Sequence, residues 1–413
     1  MKTFDPILWA DATPAGCPFP QSESLGRLKF LGRVTDYAVG DTWYPSWATD
    51  GNLYSPWTDG EFKEENPMSC DSWMRTGEPL RFTKDDKLPF PKYPHQSFTG
   101  QAVMIGDDPL QLRLVNLGLT EGKTSQHYPG RYPCGSLVHN GVWYYGTYAL
   151  GPDGWVDSPD GRAYNWPVLG GFLGFRISRD FGKTWDESPH TPEVPLFPEP
   201  AEPLGPVRIG SPHFVDFGQN MEHSQDGKAY LVAHGTTRKS PPARFAHNSW
   251  ITGDQVYLLR VTPSPEAIND ISSWEFFSGH DVDGTPIWSR RFEDIRPILE
   301  WEDHMGCVTA TWVPGLQKYL MCVTNGRMTN LEMDSYFLES ESLTGPWKIV
   351  TYLRDFGVQA YFLNFPSKFL APDGRKMWLC YSGNFAIREL GDRFRDNPPG
   401  SKYGLVMQEV EWT

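Results

Sequence analysis

Short apolar runs follow one another along the whole chain, and polar turns separate them. The runs are rich in Trp, Tyr, Phe and Val, whereas Gly, Asp, Asn and Pro stand between them. Short runs of this kind predict β-strands, because a helix needs a longer stretch with a 3.6-residue period. Only the segment from Pro265 to Trp274 is typical of a short helix. The pattern therefore predicts an all-β protein.

One two-strand unit recurs five times along the chain. The copies are PSWATDGNLYSPWTDG from Pro45, CGSLVHNGVWYYGTYAL from Cys134, PHFVDFGQNMEHSQDGKAYLVAHG from Pro212, VTATWVPGLQKYLMCVTNG from Val308 and PSKFLAPDGRKMWLCYSG from Pro366. The predicted turns between the two runs are Asp50-Gly51, Asn140-Gly141, Asp226-Gly227, Pro314-Gly315 and Asp373-Gly374. Such dipeptides supply the positive φ that a tight hairpin needs, so each copy predicts a β-hairpin.

A second predicted strand pair follows each hairpin, which gives four strands in each of five units. Repeated four-stranded units predict a β-propeller, here with five blades in a single domain spanning residues 1–413. Residues 1–40 form an N-terminal extension in which LGRLKFLGRV supplies a ring-closing strand. The inserts 61–97, 188–208 and 276–303 leave six or seven blades open, and a sandwich or two β domains is the other alternative. Ser178 to Trp185 matches the Asp-box turn, a structural motif of propeller blades.

The innermost strands of a propeller converge on its axis, so residues that precede them are expected to share one funnel. The predicted positions are residues 41–43, 127–132, 211–213, 303–305 and 364–365. They include acids, histidines and an arginine, whereas small apolar residues are the ordinary expectation. A polar convergence of this kind is the default candidate for a binding site.

The first hairpin carries two acids that we expect to share a rim. Asp41 opens its first strand and Asp59 ends its return strand, and the two ends of an antiparallel hairpin meet. Glycoside hydrolysis needs such a pair, one carboxylate ionised and the other protonated as the general acid. We predict these roles for Asp41 and Asp59, in that order, although both acids also suit ordinary turns. Trp43 is the aromatic side chain predicted to contact a sugar.

The segment QHYPGRYPCG indicates a second chemistry. Arg131 can bind a carboxylate or polarise a catalytic acid, and His127 is predicted to assist it at the catalytic centre. His127, Tyr128 and Arg131 together also suit a polysaccharide lyase, which must neutralise a uronate and supply a base. In the hydrolase hypothesis Tyr128 is a substrate-binding residue.

Four further residues are predicted to bind the substrate. They are His213, Asp254, His304 and Asn364, all near predicted strand ends. A histidine or aspartate at such an end is also common as a hydrogen-bonded structural residue.

Charge and cysteine content limit the partners. The chain has a net charge of −14 and no basic stripe, so neither nucleic acid nor an anionic membrane is an expected partner. No apolar run is long enough to span a bilayer. The six cysteines are sparse, and Cys307, Cys322 and Cys380 read as buried thiols.

The absence of metal-binding and signal-peptide motifs bears on the cofactor and on the cellular compartment. Neither CxxC nor HExxH occurs, so we predict no metal site and no cofactor, with an axial calcium ion held by oxygen atoms as the open alternative. The first residues contain no apolar core of a signal peptide. The compartment is therefore undetermined: either the protein is cytoplasmic, or this is the mature chain of a secreted one.

Several segments together resemble a known family. They are DTWYPSWATDGNLYSPWTDG, WEFFSGHDVDGTPIWSRRFEDIRPIL, VTATWVPGLQKYLM, SLTGPWKIV and FPSKFLAPDGRKMWLCYSG. They are similar to a family of bacterial five-bladed propellers whose wider group includes endo-D-arabinanases. The resemblance implies a glycoside hydrolase with a catalytic carboxylate pair in blade 1, and Asp41 and Asp59 match that pair. The histidine-rich QHYPGRYPCG departs from the group.

The sequence hypothesis is therefore a carbohydrate-active propeller acting on an oligosaccharide or polysaccharide. A glycoside hydrolase with Asp41 and Asp59 is the first choice. A polysaccharide lyase or rhamnosidase-like propeller using His127, Tyr128 and Arg131 is the second. A non-catalytic sugar-binding propeller is the third.

Overall fold

Five β-sheets surround one axis in the structure, a computed structural model. It describes residues 2–35, 37, 39–61, 99–120, 132–150, 156–157, 163–164, 169–191, 194–199, 207–235, 252–328, 332–358, 360–383 and 397–413. The sheets contain three to six strands each, and a separate two-stranded ribbon accompanies the second one. The all-β, five-bladed architecture predicted from the sequence is confirmed.

The strands follow the predicted repeats. In chain order they are β1 (Lys2–Thr3), β2 (Ile7–Leu8), β3 (Leu28–Val34), β4 (Val39–Asp41), β5 (Ser46–Trp47), β6 (Leu53–Glu61), β7 (Thr99–Ile105), β8 (Arg113–Thr120), β9 (Tyr132–His139), β10 (Val142–Leu150), β11 (Val156–Asp157), β12 (Ala163–Tyr164), β13 (Leu169–Ser178), β14 (Gly210–Phe214), β15 (Ala229–Gly235), β16 (Gly253–Val261), β17 (Glu275–His280), β18 (Pro286–Ser289), β19 (Pro297–Met305), β20 (Thr309–Val313), β21 (Lys318–Met328), β22 (Glu332–Ser340), β23 (Lys348–Leu353), β24 (Tyr361–Asn364), β25 (Lys376–Ser382) and β26 (Val406–Trp412). Short 3-10 helices cover Gln219–Met221, Ile271–Ser273, Phe292–Asp294 and Ser367–Phe369.

The blades are successive antiparallel sheets. Their strand orders from the axis outwards are β4-β6-β7-β8, β9-β10-β13, β14-β15-β16-β17-β18, β20-β21-β22-β23 and β24-β25-β26-β3. Blade 2 gains a short fourth segment through the bridge between Ile177 and Asp186. Strand β19 pairs with β16 and so belongs to blade 3. We call the face at which the innermost strands begin the upper face.

Both chain termini build blade 5. Strand β3 from the N-terminal segment pairs with β26, the last strand of the chain. Contacts between β25 and β4 then bring blade 5 against blade 1. The N-terminal segment continues over the outside of this blade, where the Trp9 ring packs 5.5 Å from that of Phe356. The ring is therefore closed within blade 5, where β3 and β26 pair.

Most predicted hairpin turns have the expected backbone. Asn140 and Gly141 have φ of 51° and 76°, which is the conformation of a type I′ hairpin. The fourth turn was predicted wrongly in detail, because its positive φ (53°) falls on Gln317 and not on Gly315. Gly315 is needed for close approach, since a Cβ there would lie 2.4 Å from backbone atoms of Asp373.

The predicted helix from Pro265 to Trp274 is shorter than expected. Only Ile271–Ser273 forms a 3-10 turn, and the side chain of Asp270 accepts a hydrogen bond from the Ser272 N–H at its start. The Asp-box is formed as predicted, since Asp180 accepts hydrogen bonds from the backbone N–H groups of Lys183 and Thr184. The cysteines predicted as buried thiols, Cys307, Cys322 and Cys380, are free and buried.

Candidate active site

The innermost strands share a backbone irregularity near the upper face. A non-glycine residue there has a positive φ in four blades: Thr42 (65°), Ser211 (41°), Cys307 (26°) and Phe362 (60°). The hydrogen-bond register shifts beside three of these residues, in β4, β14 and β24. A bulge of this kind bends a strand and redirects its side chains, and positive φ costs a non-glycine residue about 1–3 kcal/mol.

The residues directly before these irregularities are equivalent from blade to blade. They are Asp41, Gly210, Gly306 and Tyr361. Asp41 of blade 1 and Tyr361 of blade 5 therefore occupy matching places in adjacent blades. Their side chains meet across the boundary between blades 5 and 1, where the Tyr361 hydroxyl donates a hydrogen bond to Oδ2 of Asp41.

Two further hydroxyls donate to the Asp41 carboxylate. Tyr403, in the segment before β26, donates to Oδ2 at 3.0 Å, and the neighbouring Thr42 donates to Oδ1 at 2.6 Å. Asp41 is only 5% exposed. Burial raises its pKa to about 6, and the three hydroxyl donors oppose part of that rise because they stabilise the charged form. Asp41 is thus a buried carboxylate that titrates near neutral pH.

Aromatic side chains fill the axis below Asp41. The Tyr44 ring lies 3.8 Å from the imidazole of His213 and 5.5 Å from the ring of Phe362. The Tyr44 hydroxyl and both ring nitrogens of His213 are buried and have no hydrogen-bond partner among the described residues. Burial therefore holds the pKa of His213 well below its usual range, and the ring is neutral.

Asp41 lies on one side of the positive-φ residues of the innermost strands, and a cavity of about 40 Å³ lies on the other side. It is lined by residues 44–47, 135–138, 213–218, 221, 309–311 and 364–365. Each of the segments from blades 1, 3, 4 and 5 begins two residues after the positive-φ position of its strand. The cavity brings His213 and Asn364 together, but Asp41 is not among its lining residues. Its volume suits an ordered water molecule.

Asn364 links blade 5 to blade 1. Its Nδ2 donates to the carbonyl oxygens of Trp43 and Phe362, both at 2.9 Å. Trp43 itself is buried and stacks on Trp57, with ring centroids 6.1 Å apart. Its ring packs in a hydrophobic cluster, so its role as a sugar contact remains a prediction without structural support.

The predicted partner of Asp41 can be located only by its backbone. Strand β6 pairs with β4 in a register that sets Thr58 opposite Asp41, and Asp59 follows in the same strand. The side chain of Asp59 lies outside the described residues. His127, Tyr128 and Arg131 also lie outside them, so the roles predicted for these residues stay predictions.

One predicted position, His304, belongs to a different blade from the one expected. His304 was placed before the innermost strand of blade 4, but it lies in β19, which pairs with β16 of blade 3. Its ring stacks on Trp301 at 3.9 Å. Asp254, at the start of β16, accepts a hydrogen bond from the Asp303 N–H and so links the same two strands. The long insert before β20 caused the error, because its last strand returns to the preceding blade.

Sequence reasoning missed the tyrosines that contact Asp41. The predicted position in blade 5 was residues 364–365, three residues beyond Tyr361. Tyr361 directly precedes Phe362, whose positive φ marks the irregular position of the strand. A positive φ on a phenylalanine has no sequence signature, so this position could not be recognised from the sequence. Glu199 was missed as well. Burial raises its pKa to about 7, and its carboxylate accepts hydrogen bonds from the backbone N–H groups of Arg208 and Ile209, which fix the chain before β14.

Neither metal nor membrane features occur in the described part of the chain. No group of three or more His, Cys, Asp or Glu side chains there could hold a metal ion. The carboxylate beside the cavity, Asp216, accepts hydrogen bonds from the backbone N–H groups of Gly218 and Ser367. Among the described residues, no helix has the length and apolar character needed to cross a membrane.

Solved structures of other proteins are similar to this chain. No protein-family model matches the chain, and no curated protein matches it. A protein of Bacteroides ovatus, provisionally named a hydrolase, is 12% identical with a TM-score of 0.47, over 97% of this chain and 96% of that one. The α-L-arabinofuranosidase PaAbf62A of Podospora anserina is 8% identical with a TM-score of 0.41, over 96% and 94% of the two chains.

A third similar structure is the family 117 glycoside hydrolase Zg3597 of the marine bacterium Zobellia galactanivorans. It is 11% identical with a TM-score of 0.42, over 95% of this chain and 90% of that one. At such identities and TM-scores these similarities carry no further argument.

Proposed function

We propose that this propeller is a carbohydrate-active enzyme that hydrolyses glycosidic bonds, with Asp41 as its ionised catalytic carboxylate. The observation that carries the proposal is the environment of Asp41. It is a buried acid near the axis, its pKa is raised to about 6, and hydroxyl groups donate to both of its oxygens. Strongly shifted acids near a shared axis are typical of active sites.

The hydrogen bonds favour the ionised form of Asp41 as the working form. Oδ2 accepts from both Tyr361 and Tyr403, so it has no room to carry an acidic proton towards a substrate. An ionised carboxylate can remove a proton from water or attack the anomeric carbon. The first role gives inversion and the second gives retention of configuration, depending on the distance to the acid.

Asp59 remains our proposed proton donor to the leaving oxygen. The support for this pairing is proximity, because the backbone of Asp59 is one residue beyond the partner of Asp41, at an irregularity in the register of β4 and β6. The wider group of propellers named in the sequence analysis uses a carboxylate pair of this kind. The substrate class proposed is therefore a neutral or uronate-bearing polysaccharide.

A glycan screen tests this function. Arabinan, arabinogalactan and uronate-bearing glycans are incubated with the wild type and with Asp41→Asn, and new reducing ends are measured together with the ultraviolet absorbance of unsaturated uronates. We expect reducing ends without unsaturated products from the wild type, and none from Asp41→Asn. Unsaturated products would identify a lyase, and binding without cleavage in both proteins would identify a sugar-binding propeller. Either result would overturn the proposal.

A further inference from the structure

Two phenol groups from blade 5 meet on one oxygen of Asp41. Tyr361 begins β24, the innermost strand, whereas Tyr403 lies in the segment that leads into β26. Both hydroxyls donate to Oδ2. The carboxylate belongs to blade 1, so the contact crosses the boundary between blades 5 and 1. Two independent parts of blade 5 therefore converge on a single atom of another blade.

We propose that Tyr361 and Tyr403 are positioning residues that hold Oδ2 of Asp41 and reserve Oδ1 for the reacting group. The inference deepens the proposed function, since it assigns the two oxygens of that carboxylate different roles. Among the described residues, Oδ1 accepts one hydrogen bond, from Thr42, and a carboxylate oxygen can accept a second. That remaining position is the one at which a water molecule or a sugar carbon can be engaged.

The side chains that donate hydrogen bonds to Asp41 do so through hydroxyl groups. Thr42 faces it from β4, Tyr361 from β24 and Tyr403 from the segment before β26. Tyr44 and Cys307 lie close enough to interact with its charge, and that charge disfavours ionisation of both. Within the described residues, no Lys, Arg or His forms an ion pair with Asp41. Burial favours the protonated acid, so donors to the charged form are what keep the carboxylate usable near neutral pH.

Ring closure and the state of Asp41 are consequently coupled. Strand β26 pairs with β3 on one side and with β25 on the other. Tyr403 stands directly before β26, so the strand supplied by the N-terminal segment supports the position of one phenol. Tyr361 is 2% exposed and is fixed in the innermost strand. The carboxylate thus depends on contacts that exist only in the closed ring.

An NMR titration tests the assignment without any substrate. The protein is labelled with ¹³C at the aspartate side-chain carboxyl, the Asp41 signal is identified by its loss in Asp41→Asn, and its pKa is measured in the wild type, Tyr361→Phe and Tyr403→Phe. We expect each substitution to raise the Asp41 pKa by about one unit, a tenfold change in its acid constant, and the double variant to raise it further. An unchanged pKa in both single variants would overturn the proposal.

Tyr381→Phe is the matched control. Tyr381 is also a buried tyrosine of blade 5, but its hydroxyl bonds with Ser401 at 2.7 Å and Gln408 at 3.0 Å. We expect no shift of Asp41 in this variant, and a shift as large as that of Tyr403→Phe would contradict a specific role. If Tyr361→Phe fails to fold, the half-buried Tyr403 decides the result.

The titration also separates this inference from the proposed function. A shifted Asp41 pKa in a protein that cleaves no glycan would keep the tyrosine assignment and remove the hydrolase. Cleavage with an unshifted pKa would do the reverse. Where cleavage is found, the acidic limb of the pH profile of kcat/KM should move upwards with the Asp41 pKa in Tyr403→Phe, a response that a merely structural tyrosine would not produce.

Discussion

Asp41 and His213 are both buried near the propeller axis, yet their surroundings differ. Asp41 lies above the irregular residues of the innermost strands and receives three hydroxyl hydrogen bonds. His213 lies below them, stacks on Tyr44 and has no partner for either ring nitrogen. Burial raises the free-energy cost of a charge at both places. The two places differ in the hydrogen-bond partners that the fold supplies to offset this cost.

The comparison shows which end of the axis can carry charge. Donors to Asp41 keep its pKa as low as about 6 in spite of burial, so it is ionised at neutral pH. Nothing comparable supports the imidazolium form of His213, whose pKa burial lowers far below the usual value. The upper face, with Asp41, therefore suits acid–base chemistry. The region of the cavity, with His213, suits uncharged side chains that pack together and contact water.

Replacing the upper carboxylate should have the largest effect. We expect Asp41→Asn to lower kcat by at least about 10³-fold on any glycan that the wild type cleaves, because general acid–base groups contribute about 10²–10⁴-fold. Initial rates measure this. The matched control is Asp50→Asn in the turn of the same hairpin, where Asp50 accepts hydrogen bonds from Asn52 and Tyr54. Equal losses in the two variants would mean that Asp41 has no special role.

The pH dependence of stability should differ between Asp41→Asn and the wild type. The folded pKa of Asp41 is about 6, above the value of 3.8 expected when unfolded, so the folded state holds its proton more tightly. The free energy of unfolding of the wild type should therefore fall as pH rises from about 4 to about 6, by about 3 kcal/mol from this group. Asn has no such titration.

Urea unfolding at pH 4, 5, 6 and 7 measures this difference between the two proteins. Groups other than Asp41 titrate in both and cancel in the comparison. A stability difference that stays constant with pH would contradict the raised pKa of Asp41.

Weakening strand β3, which closes the ring, should affect Asp41 at the upper face more than it affects the cavity beside His213. Gly32 in β3 has a φ of 84°, and a Cβ there would lie 1.9 Å from the carbonyl oxygen of Phe4. We expect Gly32→Ala to lower the free energy of unfolding by about 2 kcal/mol more than Gly51→Ala. Gly51 has the same φ but open space around its Cβ position, so it controls for backbone strain.

The same pair of variants tests the coupling of closure to Asp41. The ¹³C carboxyl signal of Asp41 should move in Gly32→Ala, whereas the ring signals of His213 should stay in place. Movement of His213 alone would reverse the comparison.

Replacing His213 should have the smallest effect. His213→Phe removes no hydrogen bond and keeps a ring against Tyr44, so at pH 8 we expect a change in the free energy of unfolding within about 1 kcal/mol. The lowered pKa of His213 means that its unfolded state binds protons more readily below about pH 6.5. The wild type should therefore lose stability relative to the variant as pH falls. A large loss at pH 8 would show that bound water or an ion depends on the ring.

The repeat pattern was enough to predict the fold. Turn dipeptides such as Asn140-Gly141 and alternating aromatic runs are local signals, and the blades are built from local hairpins. The misplacement of His304 involves a long-range return of the chain. His304 lies in a strand that goes back to blade 3, and no local pattern encodes that choice.

The candidate site was only partly predictable. Asp41 could be identified, because it opens the first hairpin at a strand start. Tyr361 could not, because the 3-10 turn Ser367–Phe369 lies between β24 and the hairpin turn, so the innermost strand of blade 5 begins three residues before the predicted position. Tyr403 reaches the carboxylate from the segment before the last strand of blade 5, which the repeat unit does not include. Contacts between blades thus escape reasoning from a single blade.

The account depends most on Asp41 acting as the ionised group in cleavage. The direct measurement is the pH dependence of kcat/KM on a cleaved glycan, set beside the Asp41 pKa from the carboxyl signal of the same protein. We predict an acidic limb whose midpoint coincides with the Asp41 pKa, near 6, and which rises with it in Tyr403→Phe. A midpoint that differs from the Asp41 pKa, or that stays fixed when this pKa moves, would contradict the account.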